Sequence, residues 1–460
     1  MAAGPRLRSL WFTHFPLDYV TDRYVALTLS YVPVSYMILA LRQRLGQNYV
    51  FVVVAVVFLA LMISAGMRAT PGVLILPLES AFGWDRASIS LAAAIGIFLY
   101  GLVGPFGAAL MLRFGIRRTV LCALALMVAS TAGSALMTSR WQLVLTWGVL
   151  SGLGTGCVAM VLGATIVNRW FVTHRGVVMG AMTASAATGT LIFLPGLAAI
   201  AQHHGWRPVV LTVSSCALAL VPLVWWLLPE SPASIGLTRY GASDAAVTEE
   251  IRRNPLSAAL GALATAVRRR DFWYLFATFF ICGFTTNGLV GTHLIALCGD
   301  HGIAEVRAAG LLAAMGVFDL VGTTASGWLT DRADPRKLLF VYYGLRGAAL
   351  IYLPYSDFSF TSLSVFAVFY GLDWIATVPP TLRLTTEVFG ETAAAMVFGW
   401  ILAGHQLGAA CAAFLAGYLR TLQGDYVDAF VFAGATGLMA AGIALLIGRQ
   451  GTLSTRVVPA

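Results

Sequence analysis

Charge is scarce in this chain. Of 460 residues only 11% are Asp, Glu, Lys or Arg, where a soluble domain carries about a quarter. A solvated globular surface is therefore excluded. The sequence also lacks the glycine-rich, lysine-bearing loop that cradles nucleotide phosphates, so this chain does not itself draw on ATP. No nucleophile-and-base set or metal-ligand cluster occurs at workable spacing, which excludes an enzyme and leaves no cofactor or metal to expect. The six cysteines, Cys122, Cys157, Cys216, Cys282, Cys298 and Cys411, fall in or at the ends of apolar runs without metal-type spacing. They are expected to be packed thiols, neither bridges nor ligands.

What is present is hydrophobic, at 59% of residues. A helix needs about 20 apolar residues to cross a hydrocarbon core ~30 Å thick. Runs of that kind fall at 50–76, 87–111, 119–137, 141–166, 177–200, 208–228, 272–297, 307–329, 338–355, 359–382, 393–418 and 427–447. A membrane barrel would need short alternating strands instead. The expected fold is an all-α membrane protein of twelve transmembrane helices.

Basic residues favour the cytoplasmic side of a bilayer. With both termini inside, Arg113, Arg117, Arg118, Arg169, Arg175, Arg239, Arg252, Arg253, Arg268, Arg269, Arg270, Arg332, Arg336, Lys337 and Arg383 all face the cytoplasm. The opposite loops then hold Arg86, Arg140, Arg207, Arg307 and Arg420. The net charge of +9 is thus a topology signal in a multi-pass protein of the cell (inner) membrane, and no nucleic acid is expected as partner. Residues 25–41 are apolar but short, contain Pro33 and would invert this orientation if they spanned. Residues 1–48 are expected to be an interfacial or unstructured extension, or an over-called start with Met37 as initiator.

Turn residues recur at an offset of 219. Gly83 maps to Gly302, the stretch 108–118 to 327–337, 177–180 to 396–399, and 205–207 to 424–426. A duplicated set of six spans follows, giving two six-helix pseudo-repeat bundles at 49–228 and 271–448. A polar cytoplasmic linker, 229–270, joins them, and 449–460 is a tail.

This arrangement resembles the major facilitator superfamily over roughly 49–450. The best motif is the loop after the second and eighth spans. Its second copy keeps Gly327, Asp331, Arg332, Arg336 and Lys337, with Asp334 at the later glycine. Its first copy keeps Arg113, Gly115, Arg117 and Arg118 but has Leu112 at the carboxylate position. The resemblance implies that these residues form a cytoplasmic latch between the halves. The sequence RWFVTHRG at 169–176 is similar to a common connection before the fifth span.

Ionisable groups inside a membrane need a partner or a polar cavity. The candidates are Arg68, His293, Asp319, Arg346, Asp373 and His405, and none repeats at the 219 offset. Asp319 shares a helical stripe with Gly316, Thr323, Ser326 and Gly327, so it faces away from lipid. It is a candidate proton carrier or a structural pairing group. Arg68 lies on a stripe with Ser64, Ala65, Pro71 and Gly72, and can either receive a carboxylate through two hydrogen bonds or pair with an intramembrane acid.

The pairing of Arg68 with Asp319 is similar to the monocarboxylate-transporter branch of that superfamily. There a first-span cation and an Asp and Arg in the eighth span handle a proton and a carboxylate. Here Thr323 stands where the second Arg is expected, so binding falls to Arg68 or a histidine. His405 and Gln406 in the eleventh span are candidates for cargo contact, and His405 also for proton relay or for helix packing. Asp373, in the tenth span ahead of Pro379 and Pro380, is a second carboxylate for cargo or proton. His293 sits near the outer end of the seventh span, at a gate or a cargo contact, and Arg346 in the peripheral ninth span reads as structural. Gly148, Gly152 and Gly156 mark close helix packing.

A monomeric secondary transporter is expected, working by alternating access and taking up a small organic anion such as a carboxylate with protons as coupling ion. The alternatives are a proton-exchange exporter of amphipathic compounds and a non-transporting membrane receptor with the same fold.

Overall fold

The computed structural model describes residues 34–242 and 255–448. The expectations for 1–33, most of the acidic part of the linker and the tail lie outside the described residues. Residues 34–48, a helix Val34–Leu45 and a single turn Gly46–Asn48, belong to a unit of their own that ends at Tyr49.

Among the described residues, twelve helices are long and apolar enough to cross a membrane. The spans of the first half are Tyr49–Phe82, Arg86–Phe114, Ile116–Ser134, Arg140–Trp170, Arg175–His204 and Trp206–Leu227. The second half has Arg270–Asp300, Glu305–Thr330, Pro335–Tyr352, Phe360–Phe389, Glu391–Gln423 and Val427–Ala444. The linker contributes a helix, Pro255–Ala266.

Several spans outrun their hydropathy because helical hydrogen bonding continues past the first charged residue when that charge finds a partner. The first span reaches Phe82 through Glu79, which accepts from Arg86 at 2.9 Å. The tenth reaches Phe389 through Arg383 and Glu387, paired one turn apart at 3.1 Å.

Tight turns between spans follow from capping. Asp85 accepts from the Ser88 amide at 2.8 Å to open the second span, and Asp334 followed by Pro335 opens the ninth. Gly83 and Gly302 both have positive φ (63° and 75°), as do Gly205 and Gly424 (79° and 87°). The residue pairs matched by the 219 offset thus share a left-handed backbone that glycine adopts readily.

Within the first half, Gly148, Gly152 and Gly156 lie against the backbone of the second span at Ala92, Gly96 and Tyr100, the close approach small residues permit. The halves meet mainly along the second and eleventh spans and along the fifth and eighth. All six cysteines are free; Cys282 and Cys298 are buried, whereas Cys122 and Cys411 are exposed on span faces and are not packed as expected.

Several spans are irregular, and the fifth and sixth also carry an internal proline, Pro195 and Pro222. The first contains Pro71 and Pro77. The fourth has a π-helical turn at Val144–Leu150 and a break at Val158 and Ala159. The seventh has a π-helical turn at Phe284–Val290. The tenth is interrupted between Asp373 and Val378, where the two prolines begin the second piece. The breaks in the fourth and tenth coincide at the 219 offset, Val158 against Thr377.

Candidate functional site

Opening a helix inside a membrane frees backbone groups that lipid cannot satisfy. In the tenth span side chains from neighbouring helices take them up. Asp319 Oδ1 accepts from the Ile375 amide at 2.9 Å and from Thr323 Oγ1 at 2.9 Å. Ser326 Oγ donates to the Ala376 carbonyl at 2.5 Å. Arg346 Nη2 donates to the carbonyls of Asp373 and Trp374, at 2.5 and 3.3 Å.

Arg346 does more than cap. Its Nε meets Asp373 Oδ2 at 2.6 Å and its Nη1 meets Cys282 Sγ at 3.0 Å, while Cys282 Sγ lies 3.3 Å from Thr377 Oγ1. Asp319, Asp373 and Arg346 are all buried, at 5%, 8% and 1% exposure. Asp373 Oδ1 is enclosed without a hydrogen-bond partner among the described residues. Arg346 pairs with Asp373 alone, while Asp319 meets only the Ile375 amide and Thr323 among the described residues, so the three groups sum to one net negative charge when both acids are ionised.

Arg68 is different in kind. It is half-buried, donates to Ser64 Oγ at 3.2 Å, and stacks over the Tyr100 ring at 4.3 Å. Among the described residues no carboxylate pairs with it. Ser64 lies on the Arg68 stripe that the sequence shows, whereas Tyr100 of the second span carries no signal in the sequence. Asn287, the offset counterpart of Arg68, is half-buried in the π-helical turn of the seventh span.

His405 and Gln406 are buried in the eleventh span. The His405 ring lies 5.0 Å from the Phe279 ring, and its Nδ1 has no hydrogen-bond partner among the described residues. Gln406 packs its chain against Gly101 of the second span, where a Cβ would not fit.

The Arg86 end of the molecule is sealed between halves. Arg86, 4% exposed, takes both oxygens of Asp300 at 2.6 and 2.8 Å, Glu79 at 2.9 Å and the Tyr426 hydroxyl at 3.2 Å. Arg420 reaches Asp300 at 2.9 Å, and the Ala87 amide donates to Thr421 Oγ1 at 3.1 Å. Burial pushes the Tyr426 phenol up to about 12, so it remains a neutral donor. His293 is fully buried on this network, with Nδ1 3.1 Å from Tyr426 and Nε2 2.8 Å from the Ala413 carbonyl. The structure therefore places His293 on the Arg86 network. Arg86, Glu79, Asp300 and Tyr426 escape a hydropathy reading because they sit at span ends, where charge is ordinary.

The latch residues behave otherwise. Glu230, in the PESP stretch after the sixth span, accepts from the Ile116 and Arg117 amides at 2.6 and 3.2 Å, beside Gly115. It caps the start of the third span as Asp334, the offset counterpart of Gly115, caps the start of the ninth. Arg113 lies over its neighbour Phe114, and Arg117 over Trp225. Arg118 lies exposed in the same turn. In the second copy Arg336 binds Asp334, Glu387 and the Ile447 carbonyl, and Arg332 covers Trp328. Gly327 adjoins open space, and Asp331 and Lys337 are exposed. The contacts described for these loops stay within their own halves.

Known proteins place this architecture. Monocarboxylate transporter 13 of Rattus norvegicus is 30% identical over 391 residues, 83% of this chain and 85% of that one. The gallate transporter of Pseudomonas putida is 26% identical over 66% of this chain and 71% of its own. A crystal structure of a bacterial homologue of the human lysosomal transporter Spinster, inward-facing and unoccupied, superposes with a TM-score of 0.72 at 17% identity, covering 90% of this chain and 99% of that one. The family profile described as Major Facilitator Superfamily matches residues 56–396, and this chain belongs to that superfamily of membrane transporters.

Proposed function

We propose that this transporter takes up a small organic anion, a carboxylate in the first instance, together with a proton. The observation that carries the reading is Arg68, a guanidinium in the first span with an aromatic floor and no acid partner among the described residues. Arginine stays protonated and presents a planar fork that fits a carboxylate. An intramembrane cation without a counter-ion is costly to keep, and an anionic cargo supplies the missing charge. The relatives named for monocarboxylates and for gallate favour the same class.

In this reading Arg68 takes the carboxylate, and Gln406 and His405 offer further polar contact from the other half. Asp319 carries the proton. Its Oδ1 is engaged by the opened turn, while Oδ2 accepts no hydrogen bond among the described residues, and one proton cancels the net charge of the Asp319, Asp373 and Arg346 set. His405 is the second relay candidate. His293 and Arg86 close one end of the path. With the linker facing the cytoplasm, as the basic loops favour, that closed end is external. A single chain contains the whole path, so a monomer suffices.

A thermal-shift screen of acetate, lactate, benzoate and gallate on the purified protein tests the cargo class. An anion that raises the midpoint of the wild type and leaves Arg68→Ala unmoved supports it. If every anion that stabilises the wild type stabilises Arg68→Ala equally, Arg68 is not the anion site.

A further inference from the structure

The ninth span lies outside the central path, yet Arg346 reaches inward from it to four partners in two other spans: Asp373 Oδ2, the carbonyls of Asp373 and Trp374, and Cys282 Sγ. Duplication supplies an internal control for what this contact does. At the 219 offset Arg346 corresponds to Met127, and Asp373 to Gly154. In the first half Met127 packs directly on Gly154, with its Cγ 2.9 Å from where a Cβ would stand. The neighbouring contact repeats as well, since Gly107 faces Cys157 where Ser326 faces Ala376.

Both halves thus make the same close approach between equivalent spans beside an equivalent break. The first does it with apolar atoms, the second with a buried ion pair. Packing of a six-helix half does not need the pair, and replacing a buried ion pair with apolar groups is often neutral for stability. The carboxylate Asp319 occurs only in the half that has the pair, on the same opened turn, through the Ile375 amide.

We propose that Arg346 is a positioning residue for transport: it fixes the opened turn of the tenth span so that the Ile375 amide stays on Asp319 while that carboxylate gains and loses its proton. Its coupling role rests on the proton reading above; its hold on the turn does not. The fork is what matters, because one planar group spans a carboxylate oxygen and two carbonyls, which a lysine ammonium cannot do.

Cys282 reports on this directly, since its Sγ is enclosed by Arg346 and Thr377. The test uses the full chain with the other five cysteines replaced by alanine, purified in detergent, and follows labelling of Cys282 by N-ethylmaleimide. The variants are Arg346→Lys and the double change Arg346→Met with Asp373→Gly, which copies the first half and guards against misfolding. Both are expected to elute as folded monodisperse protein and to label about tenfold faster than the parent, since labelling follows the opened population. In proteoliposomes given an inward proton gradient, neither is expected to show gradient-stimulated benzoate uptake above one tenth of the parent. Labelling that stays at the parent rate in the double variant, or full recovery of labelling rate by Arg346→Lys, overturns the positioning role. If the parent itself takes up benzoate with no response to the gradient, the coupling reading falls, and the labelling rates still decide whether Arg346 holds the turn.

Discussion

Arg86 at the start of the second span grips both carboxylate oxygens of Asp300 at the end of the seventh, at 2.6 and 2.8 Å, across the boundary between halves. A two-pronged arginine pair is the strong form of such a contact. Arg86 is nearly buried while Asp300 keeps one fifth of its side chain exposed, so solvent weakens the pair without abolishing it.

Arg86→Gln removes the pair and loosens the seal. An alternating transporter then shifts its population toward opening at that end, and a change of about 1.4 kcal/mol is tenfold in that ratio. Ser90 is fully buried beside Gly417 of the eleventh span. Labelling of Ser90→Cys by a membrane-impermeant maleimide is expected to rise by roughly tenfold when Arg86→Gln is added. An unchanged rate means other contacts hold that end shut.

Asp319→Asn separates structure from coupling. An amide oxygen still accepts from the Ile375 N–H, so thermal stability is expected within about 1 kcal/mol of the wild type. The side chain can no longer exchange a proton. Gradient-driven accumulation of a carboxylate should be lost, while exchange of cargo across the membrane without a gradient persists. Accumulation at the wild-type level in Asp319→Asn would assign the proton to another group.

Glu230 acts on the fold. Its carboxylate caps the third span through the Ile116 and Arg117 amides, a role worth ~0.5–2 kcal/mol. Glu230→Ala is expected to lower the thermal midpoint of the purified protein by a few degrees, with Glu230→Gln in between. Gly115→Ala should be at least as harmful, because φ is 89° and its Cβ would stand 2.6 Å from the same carboxylate.

The architecture was open to a reader of the sequence because hydropathy and the 219 offset depend on local composition. Gly83 and Gly205 matched Gly302 and Gly424 as letters, and they match again as left-handed turns. The stripe of Asp319, Thr323 and Ser326 was likewise legible, but its purpose was not. That Asp319 and Ser326 serve the opened turn of the tenth span depends on which helices are neighbours, and a period of 3.6 carries no such information. Arg346 looked peripheral for the same reason, since a span on the rim can send a long side chain inward. Glu230 gave no signal as the cap of the third span, because it comes from a different connection than Asp334, which caps the ninth. Asp300 and Tyr426 gave no signal, being polar residues at ordinary polar positions.

Uptake into proteoliposomes is the most direct test of the account as a whole. Purified wild type and Arg68→Gln, reconstituted at equal density, would be given labelled lactate, benzoate and gallate under an inward proton gradient. Losing a charge-assisted pair of hydrogen bonds costs about 1.5–3 kcal/mol. The wild type should therefore accumulate at least one of these anions in a gradient-dependent way, with Arg68→Gln needing roughly tenfold to a hundredfold more substrate for half-maximal rate. Equal half-saturation in the two proteins would contradict anion capture by Arg68.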